Sequence, residues 1–183
     1  MRVISGSAKG KPLRAVPGAS TRPISDRVKE ALFSILGCQV PGASVLDLFA
    51  GTGSVGIEAL SRGAERVVFV EKLSKATATI RHNLRNTRLE ANAQIVRADV
   101  FQFLDREPEI FDLIYVAPPQ YQRLWAETLI AIDTTPGWLS QDGIVVVQVF
   151  PKEYEPIDLR TLRLYDQRKY GSTLLCFFEF SDQ

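Results

Sequence analysis

The chain predicts an α/β fold: a mostly parallel sheet of seven strands with helices on both faces, closed by an antiparallel C-terminal pair. Three observations predict it. From residue 44 onward, short apolar runs alternate with helix-length amphipathic segments, the pattern of consecutive β–α units. The first of these runs ends in a glycine turn, Gly51-Thr52-Gly53-Ser54-Val55-Gly56, that leads directly into a helix. The last two runs are joined by Tyr170-Gly171, a turn too short for a parallel crossover.

Taken in order, residues 1–18 are basic and broken by Gly6, Gly10, Pro12, Pro17 and Gly18 around two strand-like pieces, which predicts a hairpin. Residues 25–37 read as a helix, with Ser25 as its cap, Gly37 as its stop and Val28, Leu32, Ile35 and Leu36 as its apolar face. Pro41 and Gly42 lead into the main domain. Residues 1–40 are therefore expected to form a basic hairpin-and-helix extension, and residues 41–183 the α/β domain. Strands are predicted at 44–49, 67–70, 93–97, 111–116 and 144–150. Helices fit between them at 54–62, 73–86, about 100–105 and 121–132. The runs 162–168 and 172–180 complete the sheet.

Composition narrows the function. The 183 residues carry a net charge of +1, so no global field announces a polyanionic partner. The distribution is uneven, however. Arg2, Lys9, Lys11, Arg14, Arg22, Arg27 and Lys29 crowd the first thirty residues, opposed only by Asp26 and Glu30. Such an arm suits phosphate contacts, for which Arg2, Lys9, Lys11, Arg14, Arg22 and Arg27 are the candidates. Cys38 and Cys176 lack metal-ligand spacing, so no metal is expected and a reducing, cytoplasmic setting fits. No signal peptide or membrane-length apolar run is read.

The chemistry-bearing residues sit at strand ends. Glycines in the 51–56 turn allow positive φ and let a ligand lie against bare backbone, while the helix start offers N–H donors. Asp47 stands four residues before Gly51, where a carboxylate can meet an ammonium. Glu71 ends the second run and can accept from both hydroxyls of a ribose. Asp99, followed by Val100, ends the third and can accept from an adenine amino group. Phe49, Thr52 and the three glycines complete the expected cofactor set. These features together resemble the S-adenosylmethionine site of class I methyltransferases, although the glycine spacing alone also fits a dinucleotide. The fourth strand runs into Ala117-Pro118-Pro119-Gln120-Tyr121. Two prolines fix φ and remove donors but keep rigid carbonyl acceptors, and Tyr121 can stack a flat base. As a purely structural element, the pair would instead start the next helix. His82, the only histidine, reads as a surface residue.

The resemblance extends nearly end to end. Met1-Arg2-Val3-Ile4-Ser5-Gly6, Gly10-Lys11-Pro12-Leu13, Thr21-Arg22-Pro23-Ile24-Ser25-Asp26-Arg27-Val28-Lys29-Glu30-Ala31-Leu32-Phe33 and Asp47 to Ala64 resemble the RsmD family, the small-subunit ribosomal RNA guanine-N2 methyltransferases. Glu71 and Asn83 also fall where that family has them. The resemblance implies a Rossmann-like class I fold, S-adenosylmethionine as cofactor, ribosomal RNA or a small-subunit assembly particle as partner, and a monomer. It implies a catalytic set of Ala117, Pro118, Pro119, Gln120 and Tyr121. The chain departs from the family at that segment, where Asp-Pro-Pro-Tyr or Asp-Pro-Pro-Phe is usual. Ala117 replaces the carboxylate that would accept from the target amine, and Gln120 replaces the aromatic ring. Three other readings stand beside the active enzyme: a non-catalytic S-adenosylmethionine- or RNA-binding relative in ribosome assembly, a methyltransferase for another amine, and a dinucleotide-dependent oxidoreductase.

Overall fold

In a computed structural model, which describes residues 1–18 and 23–181, seven strands form one sheet in the order β3-β2-β1-β4-β5-β7-β6. The strands are β1 (Ser44–Leu48), β2 (Arg66–Glu71), β3 (Ala93–Arg97), β4 (Phe111–Val116), β5 (Leu139–Val149), β6 (Leu162–Tyr170) and β7 (Thr173–Phe180). The first five pair in parallel. β7 runs antiparallel to β5 and to β6. β1, β2, β4 and the second half of β5 are buried on both faces, which is why they read as continuous apolar runs.

Two cores flank the sheet. One packs α1 (Asp26–Leu36), α2 (Ser54–Ser61) and α3 (Ser74–Thr87) over residues such as Val45, Val67, Phe69 and Leu113. The other packs α4 (Val100–Leu104) and α5 (Leu124–Thr134) over Leu46, Val68, Ile114 and Val145. α1 is bounded as its sequence predicts. Ser25 accepts from the Val28 N–H, and Gly37 ends the helix at φ 51°.

Several boundaries differ from expectation. The predicted hairpin of residues 1–18 reduces to one antiparallel bridge, Arg2 with Pro12, flanked by the bonds Val3 N–H to Lys11 O and Leu13 N–H to Met1 O. This segment does not stand off the domain: Val3, Ala8 and Leu13 are buried in the same core as α1–α3. Gly6 makes the approach possible, because a Cβ there would lie 1.8 Å from the Ser61 carbonyl oxygen. β5 begins at Leu139, five residues early, where Leu139 pairs with Phe111 across a register shift. α5 begins at Leu124 and not at 121. Pro118 and Pro119 therefore do not open a helix, and a loop separates them from it.

Candidate functional site

The sheet's winding reverses between β1 and β4, with β2 and β3 on one side and β5, β7 and β6 on the other. In open α/β sheets the ligand crevice lies at the carboxyl ends of the strands at that point. The glycine turn stands there. Phe49, just past β1, has φ 60°, and Gly51 and Gly53 have φ 56° and 75°. A left-handed phenylalanine costs about 1–2 kcal/mol, so the surrounding packing holds the chain in this path. Gly56 serves packing instead. A Cβ at Gly56 would lie 2.3 Å from a Phe69 ring carbon, so only glycine lets α2 approach β2 this closely.

The three expected carboxylates flank this turn. Asp47 is 2% exposed, and its Oδ2 accepts from the Gly56 N–H at 3.0 Å. Burial pushes its pKa up to about 8, with the Glu71 charge adding and the Gly56 N–H opposing. Tyr115, its neighbour on β4, donates its hydroxyl to Gln148. Burial, and then the Asp47 charge, raise that phenol above its usual value. Glu71 holds two backbone segments in place. Its Oε2 accepts from the Gly51 N–H at 2.9 Å and its Oε1 from the Leu73 N–H at 2.7 Å. Each carboxylate oxygen keeps a second lone pair for a hydroxyl donor. Asp99 caps α4 through the Phe101 N–H at 3.0 Å and pairs with Lys72 at 3.2 Å, with Val100 next at the helix start. Desolvation raises its pKa, but the Phe101 N–H and Lys72 outweigh it, and the carboxyl sits below its ordinary value.

At the end of β4, Ala117 donates its N–H to Leu48 O at 3.5 Å, beside the exit of β1. By strand alternation its methyl lies on the face that carries Tyr115 and Asp47. The Pro118 and Pro119 carbonyls accept no hydrogen bond from the described residues, so both remain available as acceptors. Gln120 is exposed. Tyr121, at φ 62° and 71% exposed, donates its N–H to Glu153 and sets its ring 5.8 Å from that of Phe150.

Arg2, Lys9, Lys11, Arg14 and Arg27 are all exposed, and Arg2 pairs with Asp26 at 3.5 Å. Arg22 lies outside the described residues. Lys29, counted among the arm's charges by sequence, is not a surface group. It is fully buried, donates to Arg2 O at 2.7 Å and to Ser54 Oγ at 2.9 Å, and pairs with Glu58 at 3.4 Å. Desolvation lowers its pKa against the opposing pull of Glu58. Glu58 in turn accepts from the Ile4 and Ser5 N–H groups and from Arg62. The signal was present in the sequence, since helical spacing puts Lys29 between Leu36 and Phe33 on the apolar stripe of α1. Asn83, also fully buried, donates to Thr52 O at 2.9 Å and to Arg14 O at 3.1 Å, and accepts from the Arg14 N–H at 2.8 Å.

The glycine cradle, the carboxylate at each of three neighbouring strand ends and the free carbonyls on β4 fit the groups of S-adenosylmethionine, and fold and turn together define a class I methyltransferase that uses it. More narrowly, the chain belongs to the RsmD family, whose model, described as conserved hypothetical protein 95, matches residues 1–179. It is 38% identical over 182 residues to YlbH of Bacillus subtilis (strain 168), covering 98% of each chain. It is 31% identical over 148 residues to ribosomal RNA small subunit methyltransferase D of Escherichia coli (strain K12), covering 81% of this chain and 74% of that one. Among solved structures, yhhF of Escherichia coli superposes with TM-score 0.87 at 30% identity, covering 100% of this chain and 99% of that one. No helix of the described residues is long and apolar enough to cross a membrane.

Proposed function

We propose that this chain methylates the exocyclic N2 amine of a guanine in small-subunit ribosomal RNA. The observation that carries the reading is the placement of the Pro118 carbonyl, without a hydrogen-bond partner among the described residues, at the end of β4 beside the glycine turn and carboxylates of β1 and β2. The relatives named as ribosomal RNA small subunit methyltransferases support the substrate.

When bound, S-adenosylmethionine supplies an activated methyl group. In this reading Asp47, ionised, faces its ammonium, Glu71 takes the ribose hydroxyls, and Asp99 with Val100 faces the adenine. Phe49, Gly51, Thr52, Gly53 and Gly56 shape the cradle. The remaining task is positioning. A guanine amine is a poor nucleophile, because its lone pair is delocalised into the ring. Acceptors that draw its N–H groups make the nitrogen more tetrahedral. Pro118 O is one acceptor, Gln120 Oε1 a second, and Tyr121 stacks the base. A paired base cannot reach these groups, so the target is flipped out or unpaired. Residues 1–40 add phosphate contacts, while residues 41–183 carry the transfer.

Incubation of the protein and cofactor with small-subunit ribosomal RNA and with assembled small subunits, followed by nucleoside mass spectrometry, tests this. N2-methylguanosine is the expected product, and a different methylated nucleoside overturns the reading. A second reading rests on Ala117, which supplies no acceptor where the family has a carboxylate: a relative that binds cofactor and RNA without turnover. Cofactor binding with no methyl transfer to either substrate selects it.

A further inference from the structure

We infer that the groove between residues 14–17 and α3 is a phosphate-binding track for the RNA strand that flanks the target. The groove encloses about 230 Å³ and is lined by Arg14, Pro17, Lys75, Ala78, Thr79 and His82. The inference rests on the RNA reading proposed above and deepens it by extending the backbone contact from Arg14 of the amino-terminal arm onto α3.

Charge is the first argument. α3 contains no acidic residue, while Lys75, Arg81, His82 and Arg85 all lie on its exposed side. Several cations elsewhere on the surface are neutralised in place. Arg66 pairs with Glu109, Arg123 with Glu155, Arg168 with Asp166 and Lys72 with Asp99. Arg14 and Lys75, which line the groove, form no ion pair with any described residue. A row of unneutralised cations around an apolar floor suits the alternating phosphates and sugars of a nucleic-acid strand.

Construction is the second argument. Arg14 is held against α3 by both hydrogen bonds of Asn83 to its backbone, and Asn86 donates to Pro12 O at 2.8 Å. A solvated tail would not be held in this way. The same Asn83 bonds Thr52 O in the glycine turn, so the groove is tied to the cofactor cradle through a single side chain. β2, from which α3 emerges, lies two strands from β4. That separation is about 10 Å at the usual strand spacing, within the reach of one or two nucleotides.

The test compares the full-length double variant Arg14→Ala/Lys75→Ala (the α3 variant), which removes both permanent charges of the groove, with a charge-matched control on the edge strand, Arg168→Ala/Lys169→Ala. Binding of a small-subunit ribosomal RNA fragment is measured by fluorescence anisotropy across a salt series, and S-adenosylmethionine binding by calorimetry. The α3 variant is expected to lose roughly tenfold in RNA affinity near 0.1 M salt, and its log–log salt slope to fall by about 0.7 per lost contact. Its cofactor affinity stays at the wild-type value, and the control binds RNA like wild type. Unchanged RNA affinity and slope in the α3 variant, with wild type binding and methylating RNA, overturns the groove and leaves the RNA reading standing. An equal loss in the control reduces the effect to net charge and also overturns the groove. Wild type that binds cofactor but no RNA removes the reading and the groove together.

Discussion

Asp47→Asn separates what the cofactor cradle does for binding from what it costs the fold. Asp47 is buried and its pKa stands at about 8, against an ordinary value of 3.8. Between those values the folded chain holds a proton that the unfolded chain has released. The group's stabilisation is thus fully present below 3.8 and is lost as pH rises through about 8. Four units at about 1.4 kcal/mol each set an upper magnitude of about 5–6 kcal/mol. Asparagine keeps an oxygen for the Gly56 N–H and never ionises, so the penalty disappears. Urea denaturation at pH 5, 7 and 9 should show the variant gaining on wild type as pH rises, by up to about 5 kcal/mol at the alkaline end. The cofactor should respond in the opposite sense. Its ammonium needs the carboxylate, so wild-type affinity rises toward pH 8 with proton release, whereas the variant binds more weakly by roughly 1.5–3 kcal/mol with little pH dependence. Parallel stability curves for the two proteins, or equal cofactor affinity at pH 8, would refute the reasoning.

Four further outcomes follow from particular contacts. Glu71→Ala should weaken S-adenosylmethionine binding by about 1.5–3 kcal/mol per lost ribose bond in calorimetry, and Glu71→Gln by less, because the amide retains one acceptor. Ala117→Asp should speed single-turnover methyl transfer by roughly 30- to 150-fold, the worth of about 2–3 kcal/mol from a charged acceptor; slower transfer would show that Gln120 or Tyr121 already fills the place. Lys29→Met should cost about 1–3 kcal/mol in chemical denaturation, because Glu58 loses one of its two cationic partners and keeps Arg62. Asp133 accepts from the Arg160, Thr161 and Leu162 N–H groups, which outweigh its desolvation and lower its pKa from 3.8. Its stabilisation is present above that value and lost as pH falls through the lower folded pKa, so Asp133→Ala, about 3 kcal/mol less stable at neutral pH, should match wild type more closely in acid.

The elements legible in the sequence are those whose burial is set by nearest neighbours. β1, β2 and β4 announce themselves because parallel strands covered on both faces read as unbroken apolar runs. The glycine turn and the carboxylates at strand ends were legible for a related reason, since chemistry and backbone geometry both demand particular residue types there. Elements set by distant contacts were not legible. The first half of β5 contains Ser140, Gln141 and Asp142, a polar stretch bracketed by the pairs Leu139–Phe111 and Ile144–Leu113 across a register shift. The delayed start of α5 follows from Tyr121 and Arg123 at positive φ, with the Tyr121 N–H held by Glu153 some thirty residues on. The arm read as a basic hairpin extension because its anchors, Glu58, Ser61 and Asn83, lie on α2 and α3.

Those anchors bear on function. Replacing a buried ion pair by apolar side chains of similar volume is often neutral or stabilising, so stability alone is a weak reason for Lys29 and Glu58. Their geometry suggests another. Lys29 joins the arm, at Arg2 O, to Ser54, the first residue of α2, and Glu58 fixes Ile4 and Ser5 to the same helix. Asn83 joins Arg14 to Thr52 within the turn itself. Apolar contacts from Val3, Ala8 and Leu13 would hold the arm down but would tolerate sliding. Hydrogen bonds of 2.7–3.1 Å to defined atoms do not. The exposed cations of the arm are therefore held in register with the cradle to within hydrogen-bond tolerance. An enzyme that must place one amine in line with one methyl group needs that register between its phosphate contacts and its cofactor.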